Sequence, residues 1–232
     1  MDNNDIEDQN GSIIKETILS FIKTSININL PGVGPIINEF LFDLSSRIKQ
    51  NRINEFVKNL GDRMCELENK TIDFSYFTEE RYYDITMKAF ESATKANTIE
   101  KRVRLSKVYI DAIFNADFDF DRFSIYLDFV NRMSDFHIAI FKFVKESETE
   151  LIEIGSYSSY FEKFKKATSL ADFDKYEFKY FNKELENWSL ISTGGGLTNF
   201  DSTSSYRALQ DHKSASVKIT TVGNKFVKYI SV

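Results

Sequence analysis

The sequence predicts a mainly α-helical fold with a small β-hairpin near its C-terminal end. Three observations carry that prediction. Only 2 Pro and 9 Gly occur in 232 residues, too few for the compact turns of a many-stranded sandwich. Hydrophobic residues make up 42% of the chain, with 22 Phe and 11 Tyr to fill a core, which is a globular composition and not a disordered one. Apolar residues recur three and four apart over long stretches, a spacing that puts them on one face of a helix. The length suits one large domain or two small ones.

Taken in order, residues 1–11 hold Asp2, Asp5, Glu7 and Asp8 and read as a disordered acidic tail, the reverse of a signal peptide. Ser12 is a suitable N-cap for a helix with Ile14, Ile18, Phe21, Ile22 and Ile26 on one face. Both prolines of the chain fall in Leu30-Pro31-Gly32-Val33-Gly34-Pro35. Proline fixes φ and disfavours helix in the residue before it, so no helix runs through 30–35. Pro35 suits the first turn of the next helix, where its missing N–H costs nothing. That helix carries Ile37, Phe40, Leu41, Leu44, Ile48, Ile53, Phe56, Val57, Leu60, Met64 and Leu67. At about 1.5 Å per residue it would run roughly 45–50 Å. The first helix would fold back on it through Ile18, Phe21 and Ile22. A rival reading makes the two a concealed membrane-active segment released on a signal.

Thr78 followed by Glu79 and Glu80 gives a cap with acids in the first turn, where the helix dipole favours them. The helix it starts carries Tyr82, Ile85, Ala89, Phe90 and Ala93. Thr98 with Glu100 repeats the signal for a helix with Ile99, Val103, Ile110 and Ile113 on one face and Lys101, Arg102, Arg104 and Lys107 on the other. A solvated face is the ordinary reading of that cluster, and an anion site the second. In Asp117-Phe118-Asp119-Phe120-Asp121 the alternate acids resemble an EF-hand loop only faintly. Arg122 stands where the loop needs glycine and the closing glutamate is missing. Asp119 or Asp121 is better read as a cap for a helix with Phe123, Tyr126, Leu127 and Val130.

Ser134-Asp135 caps a helix bearing Phe136, Ile138, Ile140, Phe141 and Val144. A polar linker, 145–156, leads to a helix over Tyr157–Ala167. A third helix, roughly Asp174–Trp188, carries Phe178, Phe181, Leu185 and Trp188. Leu190-Ile191 and Val217-Lys218-Ile219 read as two strands around a long polar loop with a triple glycine, and a closing helix follows from Thr221. Three helices, a strand, a wing loop, a returning strand and a helix is the order of a winged helix. The segments FHIAIFKFV, FNKELENWSLIS and VKITTVGNKFVKYI resemble the first helix, the third helix with its strand, and the second wing strand with the final helix of bacterial winged-helix modules. The N-terminal half resembles helical regions of uncharacterised bacterial proteins. The expected organisation is therefore a tail over 1–11, an N-terminal helical bundle over 12–133 and a winged-helix-like domain over 134–232.

Composition excludes several functions. The formal net charge of −5 is wrong for a chain that binds nucleic acid by its overall charge. A single cysteine, Cys65, rules out an internal disulfide framework and fits a reducing cytoplasm. The uncharged run between Lys23 and Glu39 is shorter than a bilayer span of about 20 apolar residues. With His137, His212 and Cys65 unpaired at ligand spacing, no metal site is expected. No nucleophile elbow or P-loop occurs, so no cofactor is expected.

Two patterns are sharper. Arg132 stands five positions before His137, which resembles the Arg-x4–6-His motif of HEPN ribonucleases; the resemblance implies a pair acting on the RNA 2′-hydroxyl and phosphate. His137 also sits among Phe136, Ile138 and Ile140 at a helix start, and a structural histidine fits that setting better. The winged-helix resemblance implies DNA contact, yet the third helix sets Lys175, Lys179 and Lys183 against Asp174, Glu177, Glu184 and Glu186. The wing and closing helix are more basic, with Arg207, Lys213, Lys218, Lys225 and Lys228 against Asp211. The expected function is a non-enzymatic cytoplasmic interaction or signalling protein with a protein partner. Analogy with similar-looking bacterial proteins adds stress or phage (antiviral) defence. The alternatives are a winged-helix DNA-binding regulator, a HEPN-like ribonuclease and a membrane-active helical effector; self-association is left open.

Overall fold

The computed structural model describes residues 47–67, 79–114, 120–168, 173–194 and 216–230. The acidic tail, the proline turn, the first expected helix and most of the long loop after Gly194 lie outside the described residues. Among those described are eight α-helices and one two-stranded antiparallel sheet, so the fold is mainly helical. Internal contacts divide the chain into two units, one through Arg132 and one from Met133.

In the first unit, α1 (Arg47–Leu67), α2 (Glu79–Lys95), α3 (Ile99–Phe114) and α4 (Phe120–Arg132) pack around α3, which touches the other three. Ile53, Phe56, Val57 and Leu60 of α1 are fully buried, as the three-and-four spacing requires. Ile48, expected on the same face, is 64% exposed. The ring of Phe56 meets Phe90 edge-on at 5.4 Å and Tyr109 at 6.2 Å. The hydroxyls of Tyr109 and Thr86 are hydrogen-bonded at 3.0 Å, which satisfies both polar groups inside an apolar core.

Helix α3 differs from its sequence reading. Ile99 is 56% exposed, whereas Arg102 and Arg104 are buried beside Leu105, Val108, Tyr109, Ala112 and Ile113. A helix flanked by three others has little outward face left, and two guanidinium groups are drawn in with it. Arg102 Nη1 donates to the Ala96 carbonyl at 2.6 Å, and its Nε and Nη2 donate to the Glu55 carboxylate. Arg52 Nη1 donates to the Thr94 carbonyl at 2.7 Å. Two cations therefore occupy carbonyls at the C-terminal end of α2, where unpaired acceptors and the helix dipole favour positive charge.

The second unit runs α5 (Asp135–Glu146), a 3₁₀ turn (Glu148–Leu151), α6 (Tyr157–Ala167), α7 (Lys175–Asn187), β1 (Ile191–Gly194), β2 (Ser216–Ile219) and α8 (Thr221–Ile230). The expected polar linker over 145–156 is instead folded in. It forms the 3₁₀ turn and buries Leu151 and Ile154, with Leu151 fully inaccessible. Ser156 caps α6 by accepting from the Ser159 N–H, and Asp174 caps α7 by accepting from the N–H groups of Tyr176 and Glu177 at 2.6 and 2.9 Å. The core is aromatic and centres on Phe178, whose ring lies within 4.7–5.7 Å of Tyr157, Tyr160, Phe161 and Phe164. Within it, Tyr160 donates to Asn182 Oδ1 at 2.7 Å and Asn182 donates to the Phe178 carbonyl at 2.7 Å. Burial first, then the Tyr157 phenol, pushes the Tyr160 hydroxyl well above its ordinary pKa, so it stays a donor.

The strands pair Ile191 with Ile219 and Gly194 with Ser216. Helix α8 closes the unit with Phe226, Tyr229 and Ile230 buried.

Candidate functional site

The basic cluster of α3 is not one solvated face. Arg102 is committed to Glu55 and Ala96, Arg104 is buried, and Lys101 Nζ donates to the Asn131 carbonyl at 2.9 Å. Lys107 is half-buried. The cluster joins helices, and an anion would have to displace those bonds.

Arg132 is exposed, while His137 is only 3% exposed. The backbone N–H of Ser134 donates to His137 Nδ1 at 3.0 Å. Nδ1 must therefore accept, which leaves Nε2–H to donate to Glu184 at 3.0 Å. Its ring stacks on Trp188 at 4.9 Å and meets Phe181 edge-on at 4.7 Å. Ser134 Oγ, also 2.8 Å from Nδ1, completes a serine–histidine–carboxylate chain. Here the chain is a capping box: Ser134 Oγ takes the His137 N–H at the start of α5. The histidine thus pins the N-terminus of α5 to α7.

A His137→Ala variant removes that pin and opens space under Trp188. It is expected to lower unfolding stability by about 2–4 kcal/mol, read from the fluorescence of Trp188, the chain's single tryptophan. The wild-type protein is expected to leave mixed RNA intact. Cleavage lost in both Arg132→Ala and His137→Ala, with helicity unchanged by circular dichroism, would instead make the pair catalytic.

Of the C-terminal cations, Arg207 and Lys213 lie outside the described residues. Lys218 is exposed on β2, and Lys225 and Lys228 are exposed three residues apart on α8, on neighbouring positions of its surface. Lys228 Nζ sits 5.0 Å over the Tyr229 ring. Among the described residues, no group of three or more His, Cys, Asp or Glu could hold a metal ion. No described helix is long and apolar enough to cross a membrane.

The feature that residue counting missed is the outward arc of α7. At 100° per residue, Phe178, Phe181, Asn182 and Leu185 turn inward, and Tyr176, Lys179, Tyr180, Lys183 and Asn187 turn outward. Tyr176 is 84% exposed and Tyr180 59%. Each of the four acids of this segment has a partner, and Glu184 also bonds the exposed Tyr180. Asp174 and Glu177 form the capping box, and Glu184 holds His137. Glu186 accepts from Lys183 Nζ at 2.7 Å and from the Thr193 hydroxyl of β1. Partial burial works to raise the Glu186 pKa, but the bonds from Lys183 and Thr193 outweigh it and hold the carboxyl below its ordinary value. Beside Tyr180, the Glu184 charge pushes the phenol pKa up, so Tyr180 presents a neutral hydroxyl. Phe136 of α5 is 37% exposed, stacks on Phe173 at 4.6 Å and lies 5.4 Å from the Phe181 ring.

No family model, curated protein or solved structure matches this chain.

Proposed function

We propose that the chain is a non-enzymatic interaction or signalling protein of the bacterial cytoplasm, and that its C-terminal unit is a winged-helix-like module used for protein contact. The order of three helices, two antiparallel strands and a closing helix over 135–230 supports the module. The packing of α3 against three neighbours supports an N-terminal helical bundle. A role in stress or phage defence rests on analogy alone.

The observation that carries protein contact is the exposed pair Tyr176 and Tyr180 on α7, the helix that a DNA-reading winged helix lays in the major groove. Exposed tyrosines of this kind are the residues that interfaces concentrate at their energetic centres. In a groove about 12 Å wide, both flanks of a recognition helix face phosphates. One flank of α7 carries Glu177 and Glu184 and the other carries Glu186, so a duplex would meet carboxylates on each side. A DNA-binding regulator is the second reading, favoured by exposed Lys218, Lys225 and Lys228.

A binding selection on random duplex DNA at physiological salt separates the two. No enriched motif is expected. A motif lost when Lys179 and Lys183 become alanine would transfer the assignment to a regulator.

A further inference from the structure

In the other half of the chain, we propose that residues 12–28 lie as a strap along an apolar ledge that ends at Ile48 and Ile99, held to the first unit but outside its core. A break in helical phase marks the ledge. At about 100° per residue, Ile53, Phe56, Val57 and Leu60 share one side of α1, and all four are fully buried. Ile48 stands five positions before Ile53, a step that turns it about 140° away from that side. It is 64% exposed. Carried back in the same phase, Leu44, Leu41 and Ile37 fall on the side of Ile48, at steps of four, three and four. The apolar pattern of this stretch is therefore two stripes, and the first points away from the core.

Hydrogen bonds place the ledge in the unit. Arg52, one turn after Ile48, donates to the Thr94 carbonyl at the end of α2, and Glu55 accepts from Arg102 of α3. That side of α1 faces the corner between α2 and α3. Ile99 stands at the corner, one turn before Arg102, and is 56% exposed. The pairs Arg52–Thr94 and Phe56–Phe90 set α1 antiparallel to α2, and Thr86–Tyr109 sets α2 antiparallel to α3. Ile48 and Ile99 are therefore at one end of the unit. Single exposed isoleucines are ordinary on a surface; the stripe behind Ile48 makes this pair the end of a longer one.

The chain carries a matching cover. The proline turn over 30–35 directly precedes the stripe, and the residues before it include Ile14, Ile18, Phe21, Ile22 and Ile26. As a helix, Ile14 to Ile26 spans about 18 Å and Ile37 to Ile48 about 17 Å, so a strap turned back at the prolines fits the ledge in length. A turn this short also keeps the strap at an effective concentration that a second copy or another protein has to match. Phe56, on the inward side of α1, keeps its ring contacts with Phe90 and Tyr109 when the strap lifts. The strap is thus an element that exposes apolar side chains on release without emptying the core.

The test is limited tryptic digestion of the full-length protein at Lys15 and Lys23, beside a synthetic peptide of residues 12–28. Cutting in the protein is expected to be about tenfold slower than in the peptide, because a docked segment must open first. Ile48→Asp with Ile99→Asp should bring the rate close to that of the peptide and leave a cooperative unfolding transition by circular dichroism, since both side chains are exposed. Wild-type protein cut as fast as the peptide, or a rate unmoved by the two aspartates, would overturn the strap. Loss of the cooperative transition in the variant would place the ledge inside the core and overturn it as well. Protection that falls on dilution, with a dimer mass by light scattering, would give the ledge to a second copy. Protection that arises only with phosphatidylglycerol vesicles would make 12–28 a membrane-binding segment instead.

Discussion

Phe178→Ala is expected to cost the C-terminal unit about 3–5 kcal/mol, the range for emptying a buried aromatic site. Phe178 has no exposed surface. Its ring touches those of Tyr157, Tyr160, Phe161 and Phe164, which come from α6, and Phe173, which precedes α7. Rigid rings cannot collapse into the space as flexible aliphatic chains can, so the cavity and its lost dispersion contacts persist. The backbone carbonyl of residue 178 also accepts from Asn182, which itself accepts the Tyr160 proton; disorder there would leave two buried polar groups short of partners. A domain holds only about 5–15 kcal/mol in all. Denaturant unfolding followed by Trp188 fluorescence should show the midpoint fall sharply. A change under about 1 kcal/mol would mean that the aromatic cluster is not the core of this unit.

Much of the secondary structure was legible because it is locally encoded. Ser134 and Asp174 are N-caps with capping boxes, and the helix read over Tyr157–Ala167 has those bounds. Helix α3 was misread for the opposite reason. Its periodicity proposed a face through Ile99 and Val103, but wrapping by α1, α2 and α4 buries Arg102 and Arg104 and leaves Ile99 outside. A sequence records the charge of an arginine, not the Glu55 carboxylate and Ala96 carbonyl that wait for it across the fold. The 3₁₀ turn at Glu148–Leu151 was hidden among charged residues because only Leu151 and Ile154 point inward.

The candidate surface was legible only in part. Counting charges along the third helix gave a near-balance, which argued against DNA and said nothing about any other partner. Helical phase, applied to the same residues, separates Tyr176, Lys179, Tyr180 and Lys183 from the acids that flank them. What the phase cannot supply is the partner of each acid. His137 for Glu184 lies on another helix and Thr193 for Glu186 on a strand, and only the fold brings them together.

Gly223→Ala is expected to be strongly destabilising, although it adds one methyl group. Near the start of α8, a Cβ at position 223 would lie 2.1 Å from the Leu190 carbonyl oxygen and 2.8 Å from Ile219 Cγ2. The first neighbour is backbone and cannot rotate away. That oxygen is also fixed by its own bonds, since it accepts from the Thr220 N–H at 3.1 Å. Thr220 Oγ1 in turn accepts the Gly223 N–H at 2.9 Å. The clash therefore falls on the joint where β1, β2 and α8 meet, and relief requires α8 to move off Leu190. Alanine normally improves a helix by about 1 kcal/mol over glycine, so the local propensity and the tertiary contact oppose each other. Overpacking that forces backbone to shift costs about 1–3 kcal/mol and occasionally more, and with an immovable carbonyl at 2.1 Å it decides the sign. Phe226, Tyr229 and Ile230 would lose their burial with the helix. Phe141, whose ring lies 6.2 Å from that of Phe226, would lose a neighbour. The measurement is the unfolding midpoint of Gly223→Ala beside Gly61→Ala, a glycine whose added Cβ would meet nothing within 4 Å. The Gly61 variant should be neutral or slightly stabilised, and the Gly223 variant strongly destabilised. Equal midpoints for the two would show that α8 does not pack against Leu190 as closely as this.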